Sequence, residues 1–147
     1  MNVRFTSADI IFRVKQKKTL AAFIEQIFLK EGKVLSSLDY ILCSDNYLLQ
    51  INKDFLAHDF YTDIITFDLS DKNIDGIRGE VYISTDRVKE NAQNHSVNVQ
   101  KEFLRVAFHG VLHLCGYKDK KKSEITLMRQ KEDYYLHLFE ENLGNAQ

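Results

Sequence analysis

The sequence has no proline, no tryptophan and only two cysteines, Cys43 and Cys115, among its 147 residues. Two cysteines in apolar surroundings are too few for the disulfide framework of a small secreted protein. We therefore expect both to be buried thiols in a reducing compartment. Low-complexity, repeated and linker-like segments are also missing, so one domain over residues 1–147 is the expected organisation.

An excess of either charge is likewise missing, because 20 lysines and arginines are balanced by 21 aspartates and glutamates. No field of the whole molecule therefore attracts nucleic acid or a membrane, and any polyanion has to be bound by a local patch. No apolar run reaches the roughly 20 residues of a membrane span, and the first residues lack the pattern of a signal peptide. These absences predict a cytoplasmic protein without a membrane partner.

Hydrophobic residues make up 44% of the chain, which is typical of a globular domain with a substantial core. Strand-like segments separated by helical ones, with one hairpin through Gly76, predict a layered α+β (α/β-type) domain. In it, about four strands of a small mixed sheet pack with about five helices. Strands are expected within 3–14 and at 38–43, 64–70 and 79–84, and helices at about 17–30, from Ser44 to Phe55, from Ser84 or Thr85 to Gln93, at about 98–115 and from Ser123.

The helix at about 98–115 is almost entirely apolar, which predicts that core surrounds it. Its polar residues fall within about 80° of the helix circumference at about 100° per residue. One polar stripe on a buried helix indicates that the stripe faces a cleft, a partner charge or a metal ion. Cys115 lies about 200° round from the nearest histidine, so its sulfur is not expected to be a ligand. The stripe consists of Glu102, Arg105, His109 and His113.

His109 and His113 lie one helical turn apart, a spacing that lets both rings reach a single ion. Taken alone, such a pair is more often two hydrogen-bonded core histidines. Gly116 is well placed to end the helix in the left-handed conformation and to bring the following residues beside the helix end. With Asp119 in the third-ligand position, the segment has the zincin- or metzincin-like layout H-x-x-x-H-x-x-G-x-x-ligand. The general base of those proteases follows the first histidine, and here that residue is Gly110, which disfavours peptidase activity.

HGVLHLCGYKD, residues 109–119, resembles the HGxLHLxGYDH signature of the YbeY family of bacterial rRNA maturation factors. INKDFLAHDFYTDIITF, residues 51–67, and RGEVYIS, residues 78–84, resemble two further blocks of that family. The resemblance implies a YbeY-like metal-binding domain: a zinc-dependent, cytoplasmic endoribonuclease that acts on single-stranded regions. It also implies a role in rRNA processing, maturation and ribosome quality control, with ribosomal RNA and ribosomes or pre-ribosomal particles as partners and no small organic cofactor.

The three zinc-binding histidines implied by the family correspond here to His109, His113 and Asp119, because YDH has become YKD. Two histidines and one carboxylate are a known catalytic zinc set. One Zn²⁺ per chain is therefore expected on these residues, which would act on the substrate through the metal. The harder oxygen donor leaves manganese or another divalent ion as an alternative. Two further departures are Leu56, where the family has an arginine thought to contact substrate, and Tyr61, where it has proline.

Four lysines next to the predicted ion are candidates for contacts with the phosphate backbone, although charge runs are usually solvated loops. They are Lys118, Lys120, Lys121 and Lys122. Asp63 and Glu80 are candidates for a general base across the cleft; the simpler interpretations are a turn or cap residue and an exposed strand residue. His58 and His95 are expected to be exposed to solvent, and His137 is expected to be a surface or packing histidine. A second basic run comprises Arg13, Lys15, Lys17 and Lys18.

Two other functions compete with the nuclease. The first is a non-catalytic assembly factor that binds rRNA and uses the ion only to fix the loop after Gly116. The substitutions at Leu56 and Asp119 favour it. The second is a zinc peptidase, which the glycine at position 110 disfavours.

Overall fold

Residues 2–145 are described by a computed structural model and contain four strands and five helices. The strands are β1 (Val3–Ser7), β2 (Leu35–Cys43), β3 (Ile64–Asp68) and β4 (Ile77–Ser84). The helices are α1 (Lys17–Lys30), α2 (Asp45–Leu56), α3 (Thr85–Asn94), α4 (Val99–Leu114) and α5 (Lys122–Asn145). The prediction of a layered α+β fold with a small mixed sheet is confirmed.

The sheet has the strand order β1-β2-β4-β3. β1, β2 and β4 run parallel, and β3 pairs antiparallel with β4 through the predicted hairpin. Several element bounds differ from the prediction: β1 ends at Ser7, β3 ends at Asp68 instead of residue 70, and β4 begins at Ile77 instead of residue 79. β2 begins at Leu35 instead of residue 38, and α5 begins at Lys122 because the Glu124 carboxylate reaches back to accept from the backbone N–H of Lys121, at 2.8 Å.

Alternation along the strands divides the apolar side chains between two layers. On one face, Tyr40 and Val81 join the main core with α1 and α4. On the other face, Cys43 and Ile65 pack with Leu48 of α2. Both cysteines are buried as expected, and burial raises the pKa of the Cys43 and Cys115 thiols to about 12. Neither is therefore ionised at neutral pH.

α4 lies against the sheet at the closest approach that its sequence permits. A Cβ atom at Gly110 would stand 3.0 Å from Cγ1 of Val81 and 3.2 Å from Cδ1 of Ile64, so a larger residue here would have to push these two side chains aside. One turn earlier, the buried Tyr40 hydroxyl donates to the carbonyl of Ala107 at 2.9 Å. These contacts fix the rotation of α4 and turn its polar stripe away from the sheet.

The predicted left-handed glycine ends α4 as expected. Gly116 has φ +106°, and the N–H groups of Gly116 and Tyr117 donate to the carbonyls of His113 and Leu112, both at 3.0 Å. This is the Schellman pattern, which reverses the chain after the helix. α1 ends in the same way, at Gly32 with φ +73°.

α5 closes the histidine side of α4. Met128, Tyr135 and Phe139 of α5 are buried in the main core. Glu31, after α1, accepts hydrogen bonds from the hydroxyls of Tyr117 and Tyr135 and thereby ties α1, the turn after α4 and α5 together. Within residues 2–145, no helix combines the length and the apolar character needed to cross a membrane.

Candidate metal centre

His109 and His113 project from the polar stripe of α4 into a space that Asp119 closes from the following turn. The Oδ2 atom of Asp119 lies 3.2 Å from Nε2 of His109 and 3.1 Å from Nε2 of His113. The two imidazole ring centres are 4.5 Å apart and the rings are nearly perpendicular, at 84°. The structure thus brings the three predicted ligands together.

The other nitrogen of each ring has an oxygen partner. Nδ1 of His113 lies 3.0 Å from the carbonyl oxygen of Tyr117, and Nδ1 of His109 lies 2.6 Å from Oε2 of Glu132. Because a carbonyl and a carboxylate accept hydrogen bonds, a neutral imidazole at either position satisfies its oxygen partner by carrying the proton on Nδ1. In the neutral rings, both Nε2 lone pairs therefore point at Asp119.

Two lone pairs and a carboxylate oxygen at these distances repel one another unless a positive charge, either a proton on one ring or a metal ion, lies among them. Ligand atoms on one tetrahedral zinc ion are separated by about 3.3 Å, which agrees with the observed contacts. One ligand atom from each of the three residues lies within 4.8 Å of the other two. The donor set, its separations and its protonation therefore fit a divalent metal ion.

Charges around the rings favour a positive occupant. Burial acts to lower the pKa of His109, but the hydrogen bond and the charge of Glu132 outweigh it, and Asp119 and Asp63 add to them, so the pKa lies above its usual value. Burial also raises the pKa of Asp63, which His109 partly offsets. A cation bound between these groups would relieve the repulsion among the three carboxylates.

Two adjoining clefts meet at this centre, with volumes of about 300 and 620 Å³. The smaller one is lined by Glu102, Arg105 and Glu132, so the polar stripe faces a polar cleft as predicted. The larger one is lined by Leu56 and Lys120 among others. His109 and Asp119 thus line both clefts, and His113 lines the larger one.

The two candidate general bases, Asp63 and Glu80, lie on different sides of the sheet. Asp63 lines both clefts together with His109, and its Oδ2 atom accepts from the side chain of Asn91 at 3.3 Å. Glu80 alternates on β4 with Val81, which faces α4, and therefore points to the opposite side of the sheet. The structure keeps Asp63 as a candidate and shows that the proposal for Glu80 is wrong.

The four candidate lysines are all exposed, and Lys120 contributes to the wall of the larger cleft. The other three lie on the loop and the first turn of α5. Among the remaining histidines, His58 and His95 are exposed, and His137 is 71% exposed and pairs with Glu141. His137 therefore takes no part in the centre, as expected.

The family model described as Endoribonuclease YbeY matches residues 3–140. The chain belongs to the endoribonuclease YbeY family. A protein of that name from Cytophaga hutchinsonii is 48% identical over 135 residues, which cover 91% of this chain and 93% of the relative. Another, from Flavobacterium psychrophilum, is 45% identical over 131 residues, which cover 89% of this chain and 92% of the relative.

A solution structure from Thermotoga maritima has the same fold as this YbeY family member. The TM-score is 0.65 at 28% sequence identity, and the match covers 98% of this chain and 93% of that chain. Membership of the YbeY family confirms, at the level of the family, the prediction of an RNA-cleaving enzyme.

Residues that were expected to distinguish this chain from the YbeY pattern have clear structural positions. Leu56 is the last residue of α2 and is 41% exposed on the wall of the larger cleft. Tyr61 lies under the guanidinium of Arg87, 5.0 Å from the ring centre, and its hydroxyl donates to Asn46 at 3.3 Å. Tyr61 thus fixes its loop by contacts where a proline would do so by its ring.

Sequence reasoning missed Glu132, which is 4% exposed and holds His109 from α5. A signal was present, since Glu132 lies four residues after Met128 and three before Tyr135, on the stripe that packs into the core. A charged residue at a core position of an amphipathic helix indicates a buried partner. Asn91 was also missed, and its contact with Asp63 has no local sequence signal.

Proposed function

We propose that this chain is a metal-dependent endoribonuclease that cuts single-stranded regions of ribosomal RNA. Its place would be in rRNA processing, maturation and ribosome quality control in the cytoplasm, with ribosomes or pre-ribosomal particles as partners. The observation that carries the proposal is the convergence of His109, His113 and Asp119, with each Nδ1 atom within hydrogen-bond distance of an oxygen partner. The names of the family and of its relatives support RNA as the substrate.

In this proposal, His109, His113 and Asp119 hold one divalent ion, Zn²⁺ in the first place and manganese as the alternative. When bound, such an ion supplies Lewis-acid stabilisation of the charge that develops on a phosphodiester. Glu132 and the Tyr117 carbonyl orient the two rings so that both Nε2 atoms face inward. No small organic cofactor is required.

Asp63 is the group that we assign to proton transfer, since it lines both clefts beside His109. Its raised pKa, caused by burial, brings the carboxylate nearer to the range in which a general base works. Lys118, Lys120, Lys121 and Lys122 would contact the RNA backbone on one side of the ion.

Gly110, the residue after the first histidine, argues against peptide hydrolysis. A side chain at Gly110 would point into β3 and β4, not toward the ligands. The glutamate that serves as base in the related proteases therefore has no equivalent position here.

The test combines RNA cleavage with elemental analysis of the purified protein. Structured rRNA is incubated with the protein, with and without a chelator, and with His113→Ala, Asp119→Ala and the exposed control His137→Ala. We expect the chelator to abolish cleavage and the two ligand variants to lose both metal and cleavage, while His137→Ala keeps both.

Each contrary result has a defined meaning. Cleavage that survives complete removal of metal defeats the metal-dependent mechanism. Full metal content in Asp119→Ala shows that Asp119 is not the third ligand. RNA binding without cleavage by the metal-loaded protein identifies the non-catalytic assembly factor instead.

A further inference from the structure

Two aromatic rings stand exposed on the wall of the larger cleft. His58 and Phe60 are stacked on each other, with ring centres 5.0 Å apart and an angle of 23° between the planes. Phe60 is 55% exposed and His58 is exposed as well. The exposed face of such a phenyl ring is not buried on folding and therefore does not stabilise the fold. That face is available to a ligand.

The backbone that carries this pair is held in one conformation. Asn52 of α2 is only 2% exposed, and its side chain donates to the carbonyl of Phe60 at 2.9 Å. The carbonyl of Asn52 accepts from the N–H of His58 at 3.1 Å, and Ala57 between them takes the left-handed conformation with φ 54°. Asn52 thus holds both residues in place, Phe60 through its side-chain amide and His58 through its backbone carbonyl. The two rings therefore form a surface that exists before any ligand binds.

The same cleft contains the metal centre and a basic residue. His58 and Phe60 share its walls with His109, Asp119 and Lys120. A flat ring bound on Phe60 therefore lies in one cleft with the proposed ligands and with an ammonium group that pairs with phosphate. A planar base joined to a phosphodiester has the combination of chemistry that these walls match.

We propose that His58 and Phe60 form a stacking platform for an unpaired nucleobase of single-stranded RNA next to the scissile phosphate. The proposal rests on the proposed function, of which it names the substrate determinant. A base inside a duplex has both faces covered by its neighbours, so the platform selects unpaired nucleotides. Every base has an aromatic face, so the platform discriminates by strandedness rather than by sequence.

Binding is measured apart from cleavage, by fluorescence anisotropy of a labelled single-stranded RNA and of its duplex, in chelator. The variants are Phe60→Ala and Phe60→Tyr, with Phe55→Ala as the matched control. Phe55 is another exposed phenylalanine, 67% exposed, which packs against Phe67 and does not line the cleft. Thermal unfolding of each variant verifies that the fold is intact.

We expect Phe60→Ala to weaken single-strand binding by at least about fivefold, as the loss of one base–aromatic stack does. Phe60→Tyr and Phe55→Ala are expected to bind like the unchanged protein, and duplex binding is expected to be indifferent to all three. An RNA with a single abasic nucleotide at the stacked position loses the same affinity, and Phe60→Ala abolishes its effect, because the two changes remove one contact.

If Phe60→Ala and Phe55→Ala bind single strands alike, or if no abasic position couples to Phe60, the platform is refuted while the nuclease proposal stands. If the protein binds single strands through Phe60 but cleaves none with metal restored, base stacking on Phe60 stands, while the nuclease proposal and the place of the platform next to a scissile phosphate fail. Absence of any single-strand binding by the unchanged protein overturns both.

Discussion

Glu132 is a buried carboxylate with three partners at the centre: His109, Arg105 and, at 3.5 Å, Arg129. Its Oε2 atom accepts from Nδ1 of His109 at 2.6 Å, and its Oε1 atom lies 3.1 Å from Nη1 of Arg105. The guanidinium compensates the buried charge, and the carboxylate in turn fixes the tautomer of the ring and increases its basicity. The affinity of His109 for the proposed ion is therefore expected to depend on a residue that is not itself a proposed ligand.

Glu132→Gln is expected to lower metal affinity about 10-fold to 100-fold, the usual effect of losing such a carboxylate behind a ligating histidine. A competition titration against a chromophoric chelator measures it. Asp133→Asn is the matched control, because Asp133 is the exposed neighbour that also pairs with Arg105. Equal affinities in the two variants would show that Glu132 only neutralises Arg105.

Asp63 and Glu80 provide a second comparison between single residues. Asp63→Asn is expected to reduce RNA cleavage by about 100-fold or more while metal content stays unchanged, because the proton acceptor is lost and the ligands remain. Glu80→Gln, on the opposite face of the sheet, is expected to have full activity. Cleavage rates at saturating metal measure both, and an active Asp63→Asn would assign the proton transfer to another group.

At the scale of elements, α1 and α4 end in the same Schellman turn, and Cβ atoms at Gly32 and Gly116 would meet no neighbour within 4 Å. Replacing either glycine by alanine is therefore expected to destabilise the protein only through the left-handed backbone conformation, not through a steric clash. Only the turn after α4 leads to a ligand. Comparing the two positions therefore separates the loss of stability caused by the left-handed conformation from its effect on the proposed ligand Asp119.

Gly116→Ala and Gly32→Ala are each expected to lower the free energy of unfolding by about 1 kcal/mol. Only Gly116→Ala is expected to weaken metal binding as well, because it displaces Asp119 from the two imidazoles. Denaturant unfolding and a metal titration measure the two effects. Equal metal affinities in both variants would mean that the turn adjusts without moving the ligand.

The elements also show what local sequence can predict. The helical repeat predicts that His109 and His113 lie on the same face of α4. Gly116 predicts the chain reversal that brings Asp119 next to them. The core position of Glu132 indicates a buried partner, but its partner His109 could not be predicted. The contact depends on how α5 packs against α4, which no local pattern specifies. The strand order escaped for the same reason, since parallel strands pair across long connections whose lengths leave the order open.

At the scale of the whole molecule, the near-balance of charge makes any attraction to RNA a local property. The lysine run of residues 118–122 lies at the metal centre. In the other run, Arg13 and Lys15 line a hollow with Asn98 and Val99 at the beginning of α4. Along α4, the rise from Val99 to His109 and His113 is about 15 and 21 Å, which separates the two regions.

Replacing Lys118, Lys120, Lys121 and Lys122 together by glutamine is expected to weaken RNA binding and to flatten its salt dependence. Each lost phosphate contact reduces the slope of log affinity against log salt by about 0.7 for a single strand. The control replaces Arg13, Lys15, Lys17 and Lys18 and changes the net charge equally. Titrations at several salt concentrations compare them, and equal slopes would place the RNA elsewhere.

The three proposed ligands come from only eleven consecutive residues, 109–119. Joining the ends of so short a segment costs little chain entropy, so a denatured chain retains part of its capacity to chelate. A ligand that binds both forms stabilises the native form by less than its affinity for that form alone would give. An ion held there is therefore expected to raise the melting temperature modestly, and a refolding chain can capture it before α5 has docked.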